Sequence, residues 1–189
     1  MAVSNNTQTG SKKAMPVRDV CYIGIFVAII SVCAQIQIPM PFGVPLTLQT
    51  FAIMLAGIVL GVKNGTIAAV IYITLGAFGA PVFSSFSGGL GIVFGRTGGF
   101  ILSFPLLALV SGIAATKENK FWTALWLFTG ATINFACGVL MFSIVMSMPF
   151  SASFGYAAAP FIPTEVIKIA FLTVFGKKIK QRVNRNFQY

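Results

Sequence analysis

Charge is the scarcest commodity in this chain. Of 189 residues only 8% are charged, and just three of those are acidic: Asp19, Glu118 and Glu165. Soluble domains carry roughly 25% charged residues, so an ordinary soluble domain is excluded. Histidine is absent, which removes the usual neutral-pH general base and the commonest metal ligand. The three cysteines, Cys21, Cys33 and Cys137, stand singly among apolar residues with no C-x-x-C spacing. They read as small buried hydrophobes, not as a metal site or a disulfide framework.

What remains is apolar and basic. Hydrophobic residues make up 57% of the chain, and the net charge is +10. Such a charge invites a nucleic-acid reading, which would need a basic face interleaved with stacking aromatics. No such face is present. All basic residues except Arg96 and Lys168 fall in the N-terminal arm, in short loops or in the C-terminal tail, where a membrane protein carries its cytoplasmic charges. The sequence therefore predicts an all-α integral membrane protein and no nucleic-acid partner.

Apolar runs lie at 17–37, 46–62, 66–80, 98–115, 121–148 and 157–176. A crossing needs roughly 20 residues, and the third run must borrow from its flanks. Six spans make a compact bundle over residues 17–176, between a disordered polar arm at 1–16 and a basic tail at 177–189. A cleaved signal peptide is the rival reading of the arm and first run, but "CAQIQIPMPFG" offers no clean small-residue site. With the N-terminus inside, Lys12, Lys13, Arg18, Lys63, Lys117, Lys120 and the tail cations are all cytoplasmic. The outer loops 38–45 and 149–156 hold no charge, and loop 81–97 holds only Arg96. Both termini are thereby predicted cytoplasmic, in a multi-pass protein of the cell membrane.

Within that frame "PTEVIKIAF" (163–171) stands out. Glu165 and Lys168, three positions apart, share a helix face. A span from 157 to 176 puts Lys168 roughly 16 Å from its outer end. One ionised residue at such depth costs about 2.5–3.5 kcal/mol to insert and is a functional candidate by default. The structural alternative is a pair that neutralises itself or ties span six to a neighbour, and buried pairs seldom improve on an apolar replacement. Pro160 and Pro163 precede the pair, so the helix either restarts at Pro163 beside a cavity or merely kinks.

Loop 81–97, "PVFSSFSGGLGIVFGRT", is glycine-rich but fits neither nucleotide motif. Arg96 stands where a P-loop needs Lys, with Leu90 at its first glycine, and Phe94 fills the last position of G-x-G-x-x-G. An apolar, unstructured lid over a site is the functional reading, and an exposed linker the alternative. Gly24 with Ala28, and Gly57 with Gly61, form small-xxx-small steps that suit internal packing or a partner helix equally. No nucleophile–base pair, ligand cluster or carboxylate relay can be assembled. The chain reads as a binder, with neither enzyme activity nor a cofactor implied.

Three stretches carry a family resemblance: "VPLTLQTFAIMLAGIVLG" (44–61), "GAFGAPVFSSFSGGLGIVFGRTGGFILSFPL" (76–106) and "FIPTEVIKIA" (161–170). They resemble the biotin-specific substrate-capture subunits of energy-coupling factor transporters. The resemblance implies a six-helix bundle with an outward-opening biotin site. It also implies a transmembrane coupling subunit and two ATP-hydrolysing subunits as partners, with no ATPase in this chain. It implies that span one presents small residues to the coupling subunit, here Gly24 and Ala28. Biotin's ureido N–H groups would meet Glu165 and its ureido oxygen Lys168. Its tail carboxylate would meet Arg96, with Ser84, Ser85, the backbone at Gly89 and Gly91, and Gln49 as further polar candidates. Glu165 replaces the family's usual Asp, and many members have Pro at the position of Arg96. The alternatives are a capture subunit for another vitamin or carboxylate, or a small integral-membrane enzyme.

Overall fold

In the computed structural model, which describes residues 15–40 and 43–185, most of the described residues are helical. Helix α1 (Val17–Gln35) leads into a two-stranded antiparallel ribbon, β1 (Gln37–Ile38) and β2 (Leu46–Thr47), with Gln37 opposite Thr47. Helix α2 (Gln49–Ala77) is followed by a 3-10 turn (Ser84–Phe86), α3 (Leu90–Val93), α4 (Gly98–Leu102) and α5 (Phe104–Ala114). Then come α6 (Lys120–Met146), α7 (Phe150–Ala157), a 3-10 turn (Ala159–Phe161) and α8 (Ile162–Arg185). Among the described residues four helical stretches are long and apolar enough to cross a membrane: Val17–Gln35, Gln49–Ala77, Lys120–Met146 and Phe150–Val183.

Helix lets each apolar segment meet the demand of lipid that every backbone polar group have a partner, because its bonds all lie within the segment. Hydroxyl residues on exposed helix faces follow the same rule. Thr74, Thr129 and Thr132 each donate to the carbonyl four residues back, which hides the hydroxyl in its own helix. Large apolar side chains such as Ile25, Ile144, Ile167 and Phe175 point outward. The interior is filled by Met54, Tyr72, Phe83, Leu107, Leu127 and Leu172.

Helix α2 is not one rod. Gly61 has φ 80 and ψ 178, a conformation that only glycine takes without strain. A Cβ on Gly65 would lie 2.7 Å from the Cα of Gly57, and the Gln49 amide reaches the Tyr72 hydroxyl. In a straight helix those last two residues would be about 35 Å apart. The chain therefore folds back at Gly61 into two arms, 49–60 and 62–77. These are the separate apolar runs of the sequence, with a one-residue reversal where a loop was expected. Both arms pack on α5: a Cβ on Gly57 would lie 2.2 Å from the Ala108 carbonyl, and one on Gly112 would lie 2.6 Å from the Val62 Cα. Gly57 thus serves internal packing and Gly61 the reversal. Gly61→Ala, with open space around the new Cβ, should cost about 1–3 kcal/mol through backbone strain alone. Unfolding in detergent measures this, and wild-type stability would show that the reversal tolerates a side chain.

Three local expectations are corrected, loop 38–45 gains detail, and the restart of the last helix near Pro163 holds. Loop 38–45 meets the chain at a small β-ribbon, because β1 and β2 lie at its two ends. Loop 81–97 is structured by the 3-10 turn and α3. Segment 149–156 is mostly helix α7, started by Pro149 in the extended conformation and held by burial of Ser153 and Ala157. The cysteines are not core residues: Cys21 is exposed, and Cys33 and Cys137 are half-buried, since a small apolar side chain suits an outward helix face in lipid as well as an interior. Finally, α8 begins at Ile162 after the break around Pro160, with Pro163 in its first turn, where a missing N–H leaves nothing unpaired. It continues to Arg185, so Lys177, Lys178, Lys180 and Arg182 ride on helix. Residues 1–14 of the expected arm and 186–189 of the expected tail lie outside the described residues.

Candidate functional site

Because α8 starts at Ile162, Glu165 sits in its first turn and Lys168 one turn further on, near the start of the helix and not at its middle. A carboxylate there is favoured by the helix dipole. Both side chains are buried, Glu165 at 4% and Lys168 at 8% exposure. Lys168 Nζ lies 3.1 Å from Glu165 Oε2 and also donates to the Thr50 hydroxyl and the Thr47 carbonyl, each at 2.9 Å. The Thr50 hydroxyl lies 3.0 Å from Glu165 Oε2, to which it donates. An ammonium has three protons, and here each has an acceptor. The other carboxylate oxygen, Glu165 Oε1, is buried without a hydrogen-bond partner among the described residues. Leaving such an acceptor unmet costs about 1–3 kcal/mol or more, so the site is polarised towards an incoming donor.

The pair forms one wall of a small inner cavity of about 60 Å³. Phe83, Phe100, Phe104, Phe135 and Phe161 supply its aromatic surface, with Gln49, Thr50, Ser84 and Asn134 among its polar points. Gln49 is positioned by the Gly61 reversal, which brings Tyr72 within reach of its amide. Tyr72 in turn donates to the Val82 carbonyl at 3.0 Å. Asn134, 1% exposed, donates to the Phe100 carbonyl at 2.9 Å and to Ser103 Oγ at 2.8 Å.

The sequence-derived candidates divide between two cavities. Glu165, Lys168, Gln49 and Ser84 line the inner one. Arg96, Ser85 and Gly91 line a larger outer cavity, which shares Ser84, Pro45, Ile92 and Thr97 with the inner one. The guanidinium of Arg96 packs on the backbone of Gly43, where an added Cβ would come within 2.8 Å of its Cζ. Gly89 takes φ 100 at the start of α3, and its N–H donates to the Gly76 carbonyl at 2.6 Å, so that donor is occupied. Gly24 and Ala28 lie exposed on α1, and nothing lies within 4 Å of a Cβ added at Gly24. Sequence reasoning missed Thr47, Thr50, Tyr72 and Asn134. A lone amide inside an apolar run was the available signal for Asn134; the others gave none.

This arrangement can bind a mostly apolar solute that offers N–H donors at one end. Comparison with known proteins points the same way. The model of the BioY family matches residues 6–185. The "Probable biotin transporter BioY" of Pyrococcus horikoshii is 35% identical over 166 residues, covering 88% of this chain and 98% of that one. The "Biotin transporter BioY" of Thermotoga maritima is 37% identical over 166 residues, covering 87% and 96%. Among solved structures, the S-component for biotin from an ECF-type ABC transporter superposes with a TM-score of 0.80 at 26% identity, covering 95% of each chain. With its apolar helices and this full-length kinship to transporters, the chain is a helical membrane protein, and it belongs to the BioY family.

Proposed function

We propose that this chain is the biotin-binding subunit of an energy-coupling factor transporter, capturing biotin from outside and delivering it inward when docked on a coupling module. The observation that carries the reading is the unpartnered, buried Oε1 of Glu165, a residue of the cavity wall, an acceptor suited to a ureido N–H. Lys168 is the donor for the ureido oxygen. It gains that bond by releasing the Thr47 carbonyl or the Thr50 hydroxyl, since its protons are all engaged. The aromatic walls suit the thiolane ring and aliphatic chain. Arg96, in the outer cavity, would draw the tail carboxylate towards the opening, with Ser85 and Gly91 beside it.

The Gly61 reversal and the joined helices α4–α5 and α7–α8 support six crossings, and an even number puts both termini on one side. The basic residues assign that side to the cytoplasm. Exposed Gly24 and Ala28 on α1 supply a close-packing face for a transmembrane coupling subunit, which carries two ATP-hydrolysing subunits. Calorimetric titration of the ligand-stripped chain with biotin and with biotin amide tests the reading. Biotin should bind, and the amide nearly as well, because the inner pair reads the ureido end. An amide that fails while the acid binds would place the tail at Lys168, and no binding of biotin by folded protein would refute the assignment. The chain alone should also hydrolyse no ATP; hydrolysis in a preparation free of partner subunits would overturn that.

A further inference from the structure

Ser85 at φ 57 and Phe86 at φ 51 are successive non-glycine residues in the left-handed region. A side chain there crowds its own carbonyl, and a bulky residue such as Phe rarely takes the position. The turn lacks glycine at either position, so its shape is imposed from outside. Gln35, the last residue of α1, supplies the constraint. Its Nε2 donates to the Phe83 carbonyl at 2.9 Å, and its Oε1 accepts from the Phe86 N–H at 2.9 Å. A further bond from Nε2 to the Ser31 carbonyl at 3.2 Å fixes the amide on its own helix. One side chain therefore grips both ends of the strained turn, and Gln37 adds a bond to Ser85 Oγ.

The turn also has a place in the site. Phe83 lines the inner cavity, Ser85 and Ser87 line the outer one and Ser84 lines both, so the segment lies between the two. Phe83 is anchored below by the Tyr72 ring, 5.5 Å away between centroids, and is 1% exposed. We propose that Gln35 is a positioning residue that holds the Phe83–Ser87 turn closed as the roof of the inner cavity, and thereby sets how long a bound ligand stays. The proposal rests on the reading of that cavity as the biotin site.

Two measurements test it: release of radiolabelled biotin during a chase with unlabelled biotin, and hydrogen exchange across 83–87 in the ligand-free chain. The variants are Gln35→Ala, Gln35→Glu, and Gln35→Ala combined with Phe86→Gly. Losing both grips should speed release on the order of tenfold and raise exchange at Phe86, while the thermal midpoint of the ligand-free chain moves little. Gln35→Glu keeps the acceptor for Phe86 but sets a second acceptor oxygen against the Phe83 carbonyl, and should release at least as fast as Gln35→Ala. Phe86→Gly removes the strain that drives the turn open, and should restore much of the residence time lost in Gln35→Ala.

Wild-type release from Gln35→Ala would overturn the proposal, as would a double variant that releases no more slowly than Gln35→Ala alone. Should Gln35→Ala fail to fold, Gln35→Glu decides, and wild-type release and exchange in it would overturn the clamp. A wild-type chain that binds no biotin refutes the biotin reading instead. Exchange at Phe86 then decides the clamp alone.

Discussion

Lys168→Met should lower biotin affinity at least about a hundredfold, as charge-assisted hydrogen bonds are worth roughly 1.5–3 kcal/mol each and 1.4 kcal/mol is tenfold. The substitution removes the donor to the ureido oxygen and also strips the Glu165 carboxylate of its cation. Only the Thr50 hydroxyl would then face that carboxylate. Removing one partner of a buried pair costs about 3–5 kcal/mol, because it leaves the other charge uncompensated. Without its cation the carboxylate is no longer held in place for the ureido N–H groups, so a single change damages both ends of the contact. Calorimetry reads the affinity, and thermal unfolding separates it from loss of fold. Glu165→Gln combined with Lys168→Met is the control, because it leaves no uncompensated charge: it should fold well and still bind weakly. Affinity within tenfold of wild type in Lys168→Met would remove the pair from the ligand site.

Gly57→Val should be the most damaging change to the fold. Its Cβ would enter within 2.2 Å of the Ala108 carbonyl and 2.9 Å of the Ser111 Cβ, while Gly65 presses from the other arm. Overpacking usually costs about 1–3 kcal/mol, occasionally more, and the upper end applies where backbone is the obstacle. Size-exclusion profiles and thermal midpoints in detergent should show aggregation or a marked loss of stability, and wild-type behaviour would refute the close approach of α2 to α5. Gly24→Val supplies the contrast. With nothing within 4 Å, it should leave the isolated chain stable and biotin binding intact, while impairing assembly with the coupling subunit if α1 is the docking face.

How much of this was legible beforehand depends on how far each contact reaches along the chain. Glu165 and Lys168 announced themselves, because ionisable residues in an apolar run are rare for energetic reasons that need no partner to be known. The break before them was written in Pro160 and Pro163. The acceptors of Lys168, by contrast, come from Thr47 and Thr50, more than a hundred positions away, and no local pattern marks two threonines among many. The grip of Gln35 on Phe83 and Phe86 was hidden for the same reason. Helix α7 was missed because eight residues are too few for a periodicity, so its existence depends on the packing of Ser153 and Ala157.

The reversal at Gly61 bears on how the protein enters its membrane. The first arm, residues 49–60, is only about 18 Å long at 1.5 Å per residue, far short of the roughly 30 Å hydrocarbon layer. Alone, it is too short to partition as an independent segment during synthesis. One residue of turn also leaves no soluble loop between the arms. Residues 49–77 are therefore expected to leave the insertion machinery together, already folded back, with Gln49 and Tyr72 satisfying each other's polar atoms. The smallest unit of biogenesis in this part of the chain is a helical hairpin, not a helix.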